Sequence, residues 1–128
     1  MQPHALRNDP VVLVIDDEPA VRKVIDRLLK QFGYRTLLAG NAADGLRLFD
    51  QNSMEIGLVL LDWNLPGTSG KETLAQLLKR RADLRVVLVT GAIEATTDEH
   101  ATQDTVSILL KPFTPTELMM AVRTVLGA

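Results

Sequence analysis

The sequence predicts an α/β fold in which a parallel β-sheet is covered by helices on both faces, and three observations predict it. Short apolar runs recur along the chain and are continuous rather than alternating, the pattern of strands buried on both sides. Segments of helical period, with recognisable start and stop residues, stand between the runs. Four of the five runs close on a polar residue, namely Asp16, Asp62, Thr90 and Lys111. Alternating strands and helices imply right-handed crossovers, which bring the carboxyl ends of all the strands to one edge.

The first run is "VVLVID" (11–16). Pro19 suits the first turn of the helix that follows, where Val21, Val24, Ile25, Leu28, Leu29 and Phe32 keep helical spacing until Gly33 stops it. "YRTLLAG" (34–40) is the weakest run and the second in chain order. Asn41 is placed to cap a second helix carrying Leu46 and Phe49. "GLVLLD" (57–62) is the expected middle strand, and Ser69 with Glu72 has capping-box spacing ahead of Leu74, Leu77 and Leu78. "RVVLVT" (85–90) follows. The next segment, "GAIEATTDEHATQDT" (91–105), is polar and threonine-rich, so any helix in it has little to bury and is expected to be short, mobile or displaced. "VSILLK" (106–111) is the last run. Thr114, Pro115 and Glu117 repeat the capping logic before Leu118, Ala121, Val122, Val125 and Leu126, with Met119 and Met120 on the core or flank of that helix.

A chain of 128 residues is the size of one ordinary domain, expected here over 10–128 with residues 1–9 a flexible leader. With 14 basic and 16 acidic residues the net charge is -2, so there is no basic footprint for nucleic acid. The lack of cysteine removes disulfides, zinc–thiolate sites and thiol nucleophiles. No apolar stretch approaches the roughly 20 residues of a membrane span, and "MQPHALRNDP" lacks the pattern of a signal peptide. A soluble, cytoplasmic chain with no membrane insertion is expected.

In open parallel sheets, ligands sit beyond the carboxyl ends of the strands, near the point where strand order reverses. Asp16, Asp17, Asp62, Thr90 and Lys111 are expected there. Two carboxylates about 5 Å apart repel by about 3 kcal/mol at an effective dielectric of about 20, so three of them need cations. Lys111 supplies one positive charge and leaves the cup anionic. A hard divalent ion with oxygen ligands fits, and Mg2+ takes a few carboxylates together with water and phosphate oxygens. Zinc and copper are poor fits, since no histidine stands at a strand end; His4 and His100 read as surface residues. Metal, ammonium and hydroxyl are the groups that phosphoryl transfer uses, and an aspartate can be its nucleophile. Asp62 is nominated because the Pro66-Gly67 turn leaves it at an open mouth. Gly67 and Gly70 read as turn and helix-start residues, Glu18 as a helix-start charge, and Trp63 as a rim residue whose fluorescence should report binding.

Together these residues resemble the receiver domains of two-component response regulators, over essentially residues 10–127. The resemblance rests on Asp16-Asp17, on Asp62 followed by "WNLPGTSG", on Thr90 after a strand, and on "LLKPF" at 109–113. It implies a flavodoxin-like (βα)5 three-layer sandwich with strand order 2-1-3-4-5. It further implies that Asp62 accepts a phosphoryl group from a histidine kinase or a histidine phosphotransfer domain. Mg2+ would be held by Asp16, Asp17, Asp62 and the Asn64 backbone carbonyl. Thr90 would contact the phosphoryl group and shift with it, and Lys111 would pair with it ahead of a cis bond to Pro112. Such a chain is a signalling domain, not an enzyme beyond self-phosphorylation and self-dephosphorylation, and it switches the binding of a downstream protein that the sequence does not name.

Two departures stand out. Ile108 occupies the position where the family usually carries Phe or Tyr, and "QDTVS" (103–107) replaces the usual Gly-Ala opening of the fifth strand. Both fall beside the weak 91–105 segment, so an atypical output face (fourth helix, fifth strand, last helix) and an intact phosphorylation site are expected, and the sequence assigns no oligomeric state. Within this reading the chain is either a single-domain regulator or a receiver excised from a hybrid histidine kinase or a multidomain regulator. Two other readings stand beside it. One is a magnesium-dependent phosphohydrolase, which wants a carboxylate where Asn64 stands; the other is a docking module that is not phosphorylated.

Overall fold

The computed structural model describes residues 10–67, 69–91 and 103–126. Five strands, β1 (Val11–Ile15), β2 (Arg35–Ala39), β3 (Ile56–Asp62), β4 (Val86–Thr90) and β5 (Val106–Leu110), form one sheet in the order β2-β1-β3-β4-β5. Every pairing is parallel. The described helices are α1 (Pro19–Gln31), α2 (Ala42–Asn52), α3 (Gly70–Arg80) and α4 (Pro115–Leu126). The predicted flavodoxin-like order is therefore the observed one, and strand order reverses between β1 and β3.

Side chains alternate across the sheet and divide the core in two. Val11, Leu13 and Ile15 of β1, with Val59 and Leu61 of β3, pack among Phe49 of α2 and Leu74 and Leu77 of α3. Val12, Val14, Leu58 and Leu60 face the other way, onto Ile25 and Leu29 of α1 and Leu118 and Val122 of α4. Both sheet faces are covered, which is why β1 and β3 read as unbroken apolar runs rather than alternating ones.

The helix ends are set by the residues the sequence nominated. Gly33, at φ 89°, follows the Phe32 cap of α1; its N–H donates to Lys30 O and that of Tyr34 to Leu29 O, the two bonds of a Schellman motif. Asn41 Oδ1 accepts from the Asp44 N–H, and Ser69 Oγ from the Glu72 N–H. At α4 the capping box is closed in both directions: Glu117 N–H donates to Thr114 Oγ1, and Thr114 N–H to Glu117 Oε1.

Two details of the core go beyond the helical spacing. Val24 and Phe32 are exposed: Phe32 has left helical geometry at the cap, and Val24 lines a surface groove beside Phe113. Met119 is buried and Met120 exposed, since adjacent helical residues are about 100° apart and only one reaches the sheet. Among the described residues no helix is long and apolar enough to cross a membrane. The 1–9 leader, both histidines and the expected weak helix between β4 and β5 lie outside the described residues.

Candidate functional site at the carboxyl edge of the sheet

Strand register assembles the site. Ile15 pairs with Leu61, so Asp16 leaves β1 level with Asp62, the last residue of β3. Asp62 pairs with Val89, and Thr90 pairs with Leu110, one residue before Lys111. The Trp63 N–H donates to Val89 O and the Lys111 N–H to Thr90 O, so the backbone ladder continues past the strand ends. Each of the four predicted closures therefore reaches the same edge, beside the β1/β3 reversal.

Asp16, Asp17 and Asp62 each offer a carboxylate oxygen, and these atoms all lie within 4.8 Å of one another. Asp16 and Asp62 are only 2% and 3% exposed, whereas Asp17 is half-buried. Burial pushes the Asp16 carboxyl above its ordinary value, and the charges of Asp62 and Asp17 push the same way; the Glu18 N–H and Lys111 act against them. Two backbone amides hold the acids in place: Glu18 N–H donates to Asp16 Oδ1 at 2.9 Å, and Asn64 N–H to Asp62 Oδ1 at 3.0 Å. Lys111 Nζ stands 3.7 Å from Asp62 Oδ1, and the Lys111–Pro112 bond is cis.

Three hard oxygen donors against one nearby ammonium make a set that suits a small divalent cation. Thr90 is fully buried at the end of β4. Asn64 is exposed, and its amide is the group that reaches Asp62. Gly67, at φ 82°, makes the turn that opens the mouth, while a Cβ on Gly70 would collide with the Trp63 carbonyl to which the Gly70 N–H donates. Both glycines thus shape the β3–α3 corner. Arg22 has no place in a recognisable motif, yet its Nη1 donates to the Asp16 carbonyl at 2.7 Å. The only hint in the sequence is a cation one turn into a helix that follows an acid pair.

The family model for the response regulator receiver domain matches residues 12–123. Among curated relatives, the phosphate regulon transcriptional regulatory protein PhoB of Pseudomonas aeruginosa is 33% identical over 127 residues, covering 90% of this chain and 51% of its own length. The transcriptional regulatory protein AruR of the same organism is 32% identical over 122 residues, covering 86% of this chain and 46% of its own. The chain thus spans about half the length of these relatives. A response regulator receiver domain protein from Clostridium thermocellum superposes with a TM-score of 0.84 at 29% identity, covering 92% of this chain and 94% of that one. The response regulator TrrA of Thermotoga maritima, solved in complex with Mg2+-BeF, superposes at 0.81 with 29% identity over 91% and 98% of the two chains. By the extent of the family match, the chain belongs to the response regulator receiver domains, which are signalling domains of two-component systems.

Proposed function

We propose that the chain is the phosphoacceptor of a cytoplasmic two-component phosphorelay, with Asp62 as the accepting residue. The observation that carries this reading is the buried Asp62 carboxylate with two further acids within 4.8 Å and Lys111 at 3.7 Å. Asp16, Asp17, Asp62 and the Asn64 carbonyl would hold Mg2+, and the bound ion supplies positive charge to the phosphoryl oxygens. An Asp62 oxygen forms the new P–O bond while the P–N bond to a phosphohistidine breaks, and the imidazole leaves with that electron pair. Lys111 and Thr90 receive the phosphoryl oxygens, and Asn64, through its amide, holds Asp62 in line. Asn64 brings no carboxylate to act as an acid or base, which disfavours the phosphohydrolase reading.

The phosphodonor is a histidine kinase or a histidine phosphotransfer domain. A groove of about 640 Å³ lined by Val21, Val24, Ile25, Pro112 and Phe113 shares Lys111 with the acid cup, so a helical donor seated there presents its histidine at the mouth. Val24→Glu is expected to slow transfer from a phosphohistidine protein by about tenfold, the effect of a ~1.4 kcal/mol contact, and to leave acetyl phosphate unaffected. Equal slowing with both donors would move docking elsewhere.

On the output side, Ile108 is half-buried against the α2/α3 side of the core and has no ring to swing. We read the face around β5 and α4 as atypical, serving an unidentified downstream protein; a phosphorylated form that dimerises symmetrically through it would contradict this. The central test is intact mass after incubation with Mg2+ and acetyl phosphate, beside Asp62→Asn. A gain of one phosphoryl group that needs Mg2+ and is absent from the variant is expected. No gain from acetyl phosphate or from a phosphohistidine donor would leave the chain a docking module.

A further inference from the structure

Asp16 is held at three points, and only one of them is a charged side chain. Its N–H donates to Ala39 O of β2, its Oδ1 accepts from the Glu18 N–H, and its carbonyl accepts from Arg22 Nη1. Arg22 lies in the first turns of α1, and its own N–H donates to Glu18 O. The same guanidinium nitrogen lies against Gly40, the residue after β2, where a Cβ would stand 3.0 Å from it. Arg22 is thus wedged between the carboxyl ends of β1 and β2, on the backbone of a buried acid of the cluster.

We propose that Arg22 is a positioning residue for the metal cup, its guanidinium reaching the Asp16 carbonyl through the room left beside Gly40. This rests on the reading of the acid cluster as a Mg2+ site. The β1–α1 corner turns immediately after Asp16, and Asp17 and Glu18 follow within it. A guanidinium holding the corner's first carbonyl sets the direction in which Asp16 and Asp17 offer their oxygens. Groups that orient metal ligands from behind change metal affinity by about 10–100-fold when removed.

Electrostatics alone predicts the opposite sign. Arg22 adds positive charge near an anionic cup, so neutralising it would tighten binding of a divalent cation if charge were its only contribution. Positioning predicts weaker binding. Gly40→Ala separates the two further, because it keeps the charge and only displaces it; no left-handed φ is recorded at Gly40, so alanine is compatible with the backbone.

The test is a Mg2+ titration of the fluorescence of Trp63, the one tryptophan, in wild type, Arg22→Gln, Gly40→Ala and the double variant, with Tm in EDTA for each. Arg22→Gln is expected to raise the Mg2+ Kd about tenfold, and Gly40→Ala, which shifts the guanidinium without removing it, to raise it less. The double variant is expected to do no worse than the worse single, because both act on one contact. Arg22→Lys, which retains a donor, should recover part of the loss. Unchanged or tighter Mg2+ binding in Arg22→Gln overturns the proposal, as do additive effects in the double variant. If Arg22→Gln fails to fold, Arg22→Lys decides: a Mg2+ Kd no weaker than wild type sinks the idea. A wild type that shows no saturable Mg2+ response in fluorescence or in Tm refutes the underlying metal reading instead.

Discussion

Asp16 and Asp62 leave β1 and β3, which are buried along their whole length apart from half-buried Gly57, whereas Lys111 leaves β5 at the sheet's edge, where Ile108 is half-buried and Leu110 is 48% exposed. Asp16 and Asp62 are each held by a backbone amide two residues further on, just past β1 and β3. Lys111 meets Asp62 at 3.7 Å, beyond hydrogen-bond reach, with 29% of its side chain open to solvent. One half of the site is therefore held by backbone hydrogen bonds at an electrostatic cost, while the Lys111 side chain of the other half is engaged only through charge. Such an arrangement suits a switch. On the proposed function, the fixed half would make the reaction possible, and the arrival of a dianionic group would draw in the other half.

Removing the partly exposed cation should have the largest effect on chemistry. Lys111→Gln is expected to slow phosphoryl uptake from acetyl phosphate by about 10²-fold, the scale of losing one charged donor at a developing oxyanion. It should also lower the Tm slightly, since the acids lose a counter-charge. Stopped-flow quenching of Trp63 measures the rate. A change of less than about threefold would mean that Lys111 is structural and the comparison between the halves fails.

The acid half should respond with the opposite sign. The Asp16 pKa lies above its ordinary 3.8 because of burial and the neighbouring acids. Between 3.8 and that raised value the folded chain binds more protons than the unfolded one, so this group's contribution to stability falls as pH rises through the window and stays low above it. Asp16→Asn removes the cost. In EDTA at neutral pH its Tm should rise by about 3–5 °C, what ~1 kcal/mol yields in a domain of this size, and near pH 3 the gain should vanish. Stabilisation by Mg2+ should disappear in the same variant, because the ligand is gone. Thermal melts with and without Mg2+ across pH check all three. A destabilised Asp16→Asn in EDTA would mean that its hydrogen bond from Glu18 outweighs the repulsion.

The same division explains what the sequence disclosed. β1, β3 and β4 are legible because both faces are covered, so each residue answers to burial. β2 was the weakest run because it is an edge strand with only Ala39 fully buried. The acids were legible from their crowding alone, since repulsion of that size demands a cation. Strand order rested on family resemblance, because no local pattern says that β3 pairs with β1 rather than β2. Arg22 escaped because its partner is a backbone carbonyl, and backbone acceptors leave no mark in side-chain chemistry. Val24 escaped for a different reason. Helical spacing says which residues share a stripe, not how wide a stripe the sheet can cover.

The smallest expected effect bears most directly on the edge half. Ile108 pairs with Leu88 and rests partly exposed against the α2/α3 side of the core. Ile108→Phe adds a ring at a site with solvent on one side, so its Tm should stay within about 2 °C of wild type, the range of surface substitutions. Phosphoryl uptake should change by less than about twofold, because the acids, Lys111 and the backbone ladder are untouched. What should change is the response: hydrogen exchange along β4 and β5 should differ more between free and phosphorylated forms in the variant, since a ring can take two positions where isoleucine keeps one. If uptake instead falls as far as in Lys111→Gln, the two halves are one mechanical unit. The exposed edge is then part of the chemistry, and the solvent exposure of β5 says nothing about its freedom to move.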